Sequence, residues 1–309
     1  MKRESVNEVI ACLSEERTLF RYFKGQYALM LLSYVTQTFD SVRALKQTPY
    51  QRLLNQSEVK PLLAQSGKGG LSPELFNYCW KESSQNFILT LDRWDDDDRW
   101  SRQTTRAGSN LVLQLNFSEE HNRLYRKMIN PDDDYLFNYY GHPVMEKGER
   151  FRDTLAWARL DIDLNSGEVL IEEIQSDWVR RALACATMIK KGQKPWHLHY
   201  CDCKPEAFLT YTDKVLKPFI SLWSEAMLMA AISFIYIELG IRSIYYHTYE
   251  AGAEIKRICG QPPKSLYSDL PRKFCFQTTD EDPLFLQQDR AFRKRRRKLN
   301  NISWYKLEL

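Results

Sequence analysis

Two neighbouring runs decide the fold of this chain: Thr154-Leu-Ala-Trp-Ala-Arg-Leu-Asp-Ile-Asp163 and Glu168-Val-Leu-Ile-Glu-Glu-Ile-Gln-Ser-Asp177. They face each other across Asn165-Ser166-Gly167, and asparagine and glycine readily accept the backbone angles of a tight reversal. The pattern therefore predicts an antiparallel β-hairpin.

Further elements extend outward from this hairpin. Leucines that alternate with mostly polar residues predict a strand over 110–117. After the hairpin, an Ala-rich run predicts a helix over 180–191, and an apolar run that ends at Gly240 predicts a long helix over 220–239. The remaining predictions are a buried strand over 242–247, a helix over 249–259 and a last strand over 273–277.

The order of these elements predicts an α+β protein, in which a helical N-terminal region precedes a mixed sheet with covering helices. The chain is 43% apolar and 27% charged, which excludes intrinsic disorder over most of its length. We expect three parts: a mainly helical region over 1–105, an α/β domain over 106–285 and a basic C-terminal tail over 286–309.

The positive charge of the chain is concentrated in that tail. Seven lysines and arginines fall between Arg290 and Lys298, whereas the whole chain has a net charge of only +4, so the remainder is slightly acidic. Such a run indicates contact with nucleic acid through Arg290 to Lys298. The alternative is the solvated face of a terminal helix.

Cysteine usage and the start of the chain indicate a cytoplasmic protein. The seven cysteines are scattered, and Met1-Lys-Arg-Glu4 does not resemble a signal peptide, so we expect a reducing compartment. The most apolar stretch, Ala226 to Ile237, is too short to cross a membrane and predicts a buried helix. We therefore expect no membrane partner, and the sequence leaves the oligomeric state open.

The most unusual segment is Leu170-Ile-Glu-Glu-Ile-Gln-Ser-Asp-Trp178. Side chains alternate along a strand, so Glu173, Gln175 and Asp177 are predicted on one face and Glu172 on the other. Carboxylates rarely enter a central strand unless they are paired or functional, and a carboxylate with a raised pKa suits general-base catalysis. The alternative is a structural network that reaches Arg159 or Arg180.

The helix that follows is a candidate anion site. Arg180 and Arg181 lie at its start, and the small residues Ala182 and Ala184 would let a ligand approach the backbone. A helix N-terminus offers unpaired N–H groups and the positive end of the helix dipole to a pyrophosphate. The bland alternative is an ordinary packed helix, because alanine is the best helix former.

Residues 154–277 resemble the core of the GCN5-related N-acetyltransferase superfamily. In that superfamily a strand pair ends in a phosphate-binding loop, then a helix, a strand, a helix and a final strand follow. Arg181-Ala-Leu-Ala-Cys-Ala186 is similar to the loop, and Ser265-Leu-Tyr-Ser-Asp-Leu-Pro-Arg-Lys-Phe-Cys-Phe276 is similar to the closing segment. In addition, the Glu172-Glu-Ile-Gln-Ser-Asp-Trp178 string resembles a module of the large polyvalent proteins of phages and conjugative elements, which implies a mobile-element origin.

The acetyltransferase resemblance implies a CoA-dependent N-acyltransferase with acetyl-CoA bound at 180–186. Glu173, helped by Glu172 or by water, would accept a proton from the substrate amine. Arg180, Arg181 and the helix N-terminus would bind the pyrophosphate. His247, at the end of the predicted strand over 242–247, or Tyr249, just after it, would protonate the departing thiolate. The alternative for this pair is that Thr248 caps the next helix and His247 packs beside it.

A second enzymatic interpretation uses the same hairpin. Asp161 or Asp163 followed by Glu173-Ile-Gln175 resembles a Glu-x-Gln variant of the metal-dependent nucleases of the PD-(D/E)xK class, which would bind Mg²⁺. A third class is a non-catalytic protein that binds nucleic acid or another partner through the basic run.

His197-Leu-His-Tyr-Cys-Asp-Cys203 contains four residues of the types that bind zinc. If the segment is extended, successive ligands on one face lie about 6.5 to 7 Å apart and cannot converge on one ion. We therefore expect a partly buried strand or loop and assign no metal ligands.

Overall fold

Eight strands of the described part of the chain form one mixed sheet. A computed structural model describes residues 1–12, 18–67, 69–77, 81–95, 103–132, 136–139, 141–142, 153–256, 263–299 and 302–309. The strands are β1 (Thr18–Tyr22), β2 (Gln85–Trp94), β3 (Asn110–Phe117), β4 (Thr154–Asp163), β5 (Glu168–Gln175), β6 (Ser243–His247), β7 (Gln277–Thr279) and β8 (Trp304–Glu308). Their order in the sheet is β1-β2-β3-β4-β5-β6-β8-β7. Among these strands, β5 and β6 are the one parallel pair.

Helices connect the strands and cover the sheet, which confirms the predicted α+β class. The α-helices are α1 (Arg3–Cys12), α2 (Gln26–Val35), α3 (Val42–Leu45), α4 (Lys60–Gln65), α5 (Glu74–Asn77), α6 (Glu119–Ile129), α7 (Asp177–Lys190), α8 (Pro205–Thr210), α9 (Lys217–Ile220), α10 (Trp223–Ser233), α11 (Tyr249–Lys256), α12 (Asp269–Lys273), α13 (Leu284–Gln288) and α14 (Arg290–Arg296). Short 3₁₀-helices cover Pro49–Asn55, Trp196–His199 and Lys264–Tyr267, and π-helical turns cover Tyr211–Leu216 and Phe234–Glu238.

The predicted hairpin is present as β4 and β5. Asp163 pairs with Glu168 across the turn, and Gly167 has a φ of +66°, which glycine adopts without strain. The expected strands over 110–117 and 242–247 are confirmed as β3 and β6. Gly240, at φ +67°, ends the long helical stretch as predicted. The expected helix over 249–259 is present as α11, and its last three residues lie outside the described part of the chain.

The N-terminal region differs from the expectation of a mainly helical unit, because it supplies two strands to the same sheet. Thr18–Tyr22 lies within the region expected to be mainly helical, yet it pairs with β2 as an edge strand. Phe20 and Tyr22 are buried while the residues between and before them are exposed. Over five residues a helical and an alternating pattern are hard to distinguish, so pairing with β2 decides the conformation.

The C-terminal segment is also part of the fold rather than a tail. Residues 304–308 form β8, which lies between β6 and β7 and pairs with both. The strand expected over 273–277 is wrong as well, since α12 extends to Lys273 and the short strand β7 begins at Gln277. Pro271 lies in the first turn of α12, where proline is tolerated, and β7 pairs with β8 further along the chain.

One face of the sheet forms the main apolar core. Leu113 of β3, Ala158 of β4 and Ile171 of β5 are buried there, and α10 packs against these three strands. Residues 226–232 of α10 are fully buried, as expected for a core helix. The helical stretch Pro205–Glu238 is long and apolar enough to cross a membrane, and 61% of its most apolar portion lies inside the protein.

The opposite face of the sheet is mostly polar around its centre. We call the residues Gln114, Trp157, Arg159, Glu173 and Gln175 the polar face. Gln114, Trp157 and Gln175 pair in one row across β3, β4 and β5, and Arg159 pairs with Glu173 in the next row. Further along this face a second, smaller apolar cluster fixes α11, α13 and α14 to the sheet. Its members are Leu170, Tyr245, Ala251, Ile255, Phe285, Leu286, Phe292, Ile302 and Trp304.

Candidate functional site

A β-bulge interrupts β5 at its acidic residues. Glu173 pairs with Arg159 and Ile171 pairs with Leu160, so Glu172 is the extra residue on the β5 side. As a result Ile171 and Ile174, three residues apart, both enter the main core. The bulge breaks the strict alternation at Glu172, whereas Glu173 and Gln175 share one face as predicted. The charge of Arg159 acts on both glutamates.

The bulge lies where the two parallel strands separate. Pairing between β5 and β6 ends at Ile171 and Tyr246, although β5 continues to Gln175 and β6 to His247. We call this region, Glu172 to Gln175 with His247, the strand fork. The helices α7 and α11 begin directly after the two strands, so the fork lies at the carboxyl ends of a parallel pair. Open α/β sheets place their ligands at such ends.

Glu172 is held inside the protein by four groups. Its carboxylate accepts hydrogen bonds from the Thr105 backbone N–H at 2.8 Å and from the Thr105 hydroxyl at 2.9 Å. The Lys256 Nζ lies 3.0 Å from Glu172 Oε2, and the His247 Nε2 lies 3.2 Å from the same atom. The side chain of Glu172 is fully buried. This carboxylate is therefore one member of a closed ion-pair network.

The charges of the network set its protonation states. Burial opposes ionisation of Glu172, but Lys256, His247 and Arg159 together hold the pKa of Glu172 well below its usual value. Burial, aided by the positive charge of Lys256, lowers the pKa of His247 to about 4. At neutral pH the carboxylate is ionised and the imidazole is neutral. The contacts of His247 Nε2 with Thr105 and Glu172 indicate that this nitrogen carries the ring proton.

This imidazole gives a testable pH dependence. Between pH 6.5 and pH 4 the unfolded chain binds a proton at residue 247 that the folded protein does not bind. The free energy of unfolding therefore rises with pH in this window, and the protein becomes less stable as the pH falls through it. We expect His247→Gln to reduce this slope between pH 5 and 6 by about 1.1 kcal/mol per pH unit, measured by urea denaturation.

The same change at His199, whose side chain is exposed, is the matched control and should leave the slope as in the unmodified protein. His121 and His197 are also buried, and burial lowers each pKa to about 4, but they contribute equally to all three proteins. Equal slopes for His247→Gln and the unmodified chain would show that His247 does not stay neutral in the folded state.

Asp177 forms a second, partly open cluster beside the fork. It is the first residue of α7, where the Ser176 hydroxyl accepts a hydrogen bond from the Val179 N–H and fixes the start of the helix. His142 Nδ1 lies 2.7 Å from Asp177 Oδ2, and Gln175 donates to Asp177 Oδ1 at 2.6 Å. Burial opposes ionisation of Asp177, but the hydrogen bond and charge of His142 hold its pKa below the usual value.

His142 is the functional candidate that the sequence reasoning missed. Its side chain is 29% exposed, and its ring packs against the rings of Trp94, Tyr139 and Trp157. Together with Asp177 it forms an Asp–His pair, an arrangement that orients an imidazole for proton transfer. The only sequence signal was a histidine in an aromatic loop, because the contact with Asp177 spans 35 residues of chain.

The four residues expected to hold a pyrophosphate are not gathered around one surface. Arg181 donates to the backbone carbonyls of Leu136 and Asn138, and its guanidinium carbon lies 3.7 Å from the centre of the Tyr139 ring. Ala182 is buried in the main core and Ala184 is exposed. Arg180 pairs with Asp177 but remains 57% exposed, so it is the one of the four with a charge directed to solvent.

Tyr249 begins α11 and packs against the main core without a described contact to either glutamate. Thr248 accepts a hydrogen bond from the Ala251 N–H, as the capping alternative predicted, and its own hydroxyl donates to the Ser303 carbonyl. His247 therefore contacts Glu172, whereas Tyr249 has no described contact with Glu172.

The carboxylates of the nuclease hypothesis lie in different rows of the hairpin. Asp161 pairs with Leu170, near the turn, whereas Glu173 pairs with Arg159 beyond the bulge. Both oxygens of Asp161 accept hydrogen bonds from Arg106, and the N-terminal amino group also donates to one of them. Within the described residues, no group of three or more His, Cys, Asp and Glu side chains could hold a metal ion.

The segment from His197 to Cys203 begins within a 3₁₀-helix over Trp196–His199, which the sequence did not predict. Its second half is a partly buried loop, as expected. The sulfur atoms of Cys201 and Cys203 lie 3.3 Å apart as thiols. The His197 ring stacks on Trp196 rather than extending toward these sulfurs.

No protein-family model, curated protein or solved structure matches the chain. The resemblances found in the sequence therefore remain predictions, and the geometry of the strand fork carries the functional argument.

Proposed function

We propose that this protein is a CoA-dependent N-acyltransferase that acts at the strand fork, with Glu173 as the general base. The observation that carries the proposal is the combination of a parallel strand pair that separates after Ile171 and Tyr246 with an acidic bulge at that point. A fork between parallel strands leaves backbone groups unpaired, and these can bind the amide-rich arm of an acyl carrier.

The two glutamates divide into a structural and a catalytic candidate. Glu172 is fully buried, and its carboxylate is already bound by Thr105, Lys256 and His247. Glu173 has one described ion-pair partner, Arg159 at 3.1 Å, and 17% of its side chain is exposed. A base must reach the proton that it removes. Glu173 meets this requirement better than Glu172 does.

The expected roles of the other residues change accordingly. His247 is neutral at physiological pH and contacts Glu172, so it serves the network rather than protonating a thiolate. Arg180 is the cation best suited to contact the phosphates of CoA, whereas Arg181 already binds two carbonyl groups. Gln175 and Asp177 position His142, which gives the fork a second proton-transfer group.

The direct test is binding of the acyl donor. We expect isothermal titration of the full chain with acetyl-CoA to give saturable heat at submillimolar ligand, weakened several-fold in Arg180→Gln. The matched control is Arg123→Gln, an exposed arginine on α6. If a folded sample gives no heat with acetyl-CoA, the acyltransferase proposal fails.

A specific observation also favours nucleic-acid binding. Arg290, Arg293, Lys294, Arg297 and Lys298 are all exposed, and their spacing of three and four residues places them on one side of α14 and the turn that follows. We call these five residues the basic stripe. The opposite side is structural: Phe292 enters the smaller apolar cluster, and Arg296 pairs with Asp282.

Because this segment belongs to the fold, the test neutralises the stripe instead of deleting it. We expect duplex DNA to bind the unmodified chain with a slope of log affinity against log salt of about −4.5 for five phosphate contacts. Changing all five stripe residues to glutamine should bring the slope close to zero. Five exposed lysines elsewhere, changed to glutamine, serve as the control: Lys46, Lys60, Lys191, Lys204 and Lys214. Equal slopes for the two variants would contradict a role for the stripe.

A further inference from the structure

Two neighbouring side chains of β4 present buried hydrogen-bond donors that have no acceptor among the described residues. They are the Nε and Nη1 atoms of Arg159 and the Nε1 atom of Trp157. Arg159 is fully buried and Trp157 is 2% exposed. Nε carries one N–H bond, Nη1 carries two and the indole carries one. Folded proteins pair nearly all buried donors, so such a group of unpaired ones requires an explanation.

The unpaired donors are fixed in position. Arg159 Nη2 donates to the Gln103 carbonyl and to Glu173, and its guanidinium carbon lies 4.7 Å from the centre of the Trp94 ring. Trp157 is two residues away on the same strand, which places it on the same face about 6.5 to 7 Å from Arg159. The donors therefore line one wall of the polar face and cannot swing out to solvent without breaking these contacts.

Two carboxylates of this region already accept hydrogen bonds. Glu173 is bound by Nη2 of Arg159, and both oxygens of Asp177 accept bonds from His142, Gln175 or Arg180. An oxyanion ligand would supply the acceptors that the Nε and Nη1 groups of Arg159 and the indole N–H of Trp157 lack. Glu173 and His142, which are 17% and 29% exposed, mark the side from which a ligand would approach.

We propose that the polar face binds the oxyanion group of a small ligand, a carboxylate or a phosphate, through Arg159 and Trp157. Guanidinium and indole N–H groups donate well to charged oxygens, and arginine suits planar carboxylates in particular. If the site is also the acyltransferase site, the substrate that receives the acyl group is an amine that carries a carboxylate, such as an amino acid or a short peptide. That last assignment rests on the proposed function, whereas oxyanion binding does not.

The experiment is a titration of the full chain followed by tryptophan fluorescence, because Trp94 and Trp157 would lie beside the ligand. The probes are glycylglycine, its amide glycylglycinamide, and inorganic phosphate. We expect a saturable change with glycylglycine that is absent with the amide. Arg159→Met should weaken binding at least about tenfold. Trp157→Phe, which keeps an aromatic ring and removes one donor, should weaken binding about fivefold.

Trp223→Phe on α10 is the matched control for the loss of one tryptophan. If Arg159→Met does not fold, Trp157→Phe still tests the site. Saturable binding of phosphate that depends on these residues supports the site and identifies phosphate as its oxyanion. Absence of saturable binding to folded protein, or unchanged affinity in both variants, would overturn the proposal. Acetyl transfer is measured separately. Binding of glycylglycine without acetyl transfer would therefore contradict the acyltransferase proposal but support the oxyanion site.

Discussion

Lys256→Met is expected to lower the free energy of unfolding by about 3 to 5 kcal/mol. The Lys256 ammonium is 3% exposed, lies 3.0 Å from the buried carboxylate of Glu172 and also donates to the Glu172 backbone carbonyl. Methionine fills a similar volume but leaves a buried carboxylate with no compensating ammonium. The measurement is urea denaturation at pH 7.

The exposed Lys214 provides the matched control, because Lys214→Met makes the same chemical change without uncovering a buried charge. The double variant Lys256→Met/Glu172→Gln should recover much of the loss, since an amide at position 172 can keep its bonds to Thr105 without carrying charge. A single Lys256→Met variant as stable as Lys214→Met would show that the network does not hold α11 to β5.

Glu173→Gln is expected to reduce acetyl transfer by about 10²- to 10⁴-fold while the fold is retained. Glutamine preserves the shape of the side chain, and its amide oxygen can still accept the bond from Arg159. What it lacks is the basicity needed to remove a proton from the amine. The measurement is the rate of free CoA release from acetyl-CoA in the presence of the acceptor identified by binding.

The control for this variant is Glu254→Gln, which removes the same charge from an exposed position on α11. It should transfer at the rate of the unmodified chain. Circular dichroism and the urea midpoint establish that both variants are folded. A Glu173→Gln protein that retains the full rate would assign the base elsewhere, and the His142–Asp177 pair would then be the first alternative.

Local patterns were sufficient to predict the central elements of the fold. Turn residues 165–167 and the flanking alternation predicted β4 and β5 within one or two residues, and Gly240 marked the end of the long helical stretch. The prediction that carboxylates lie in a central strand was also confirmed. The expected contact with Arg159 is present as its ion pair with Glu173. All these signals come from residues close together in the chain.

What the sequence did not predict depends on distant partners. The bulge at Glu172 exists only because one residue of β4, Arg159, is opposed by two residues of β5. The groups around Glu172 come from positions 105, 247 and 256, and His142 reaches Asp177 from another loop. β8 was not predicted because five residues are too few for a clear period, and its partners β6 and β7 are separate segments of the chain.

The position of β8 between β6 and β7 affects how the chain folds during its synthesis on the ribosome. β7 has no neighbour in the described sheet other than β8, and one long edge of β6 also depends on it. Both strands are synthesised before residues 304–308, so each has an unpaired edge until β8 emerges from the ribosome. During this interval we expect the open edges of β6 and β7 to be prone to pairing with strands of other chains.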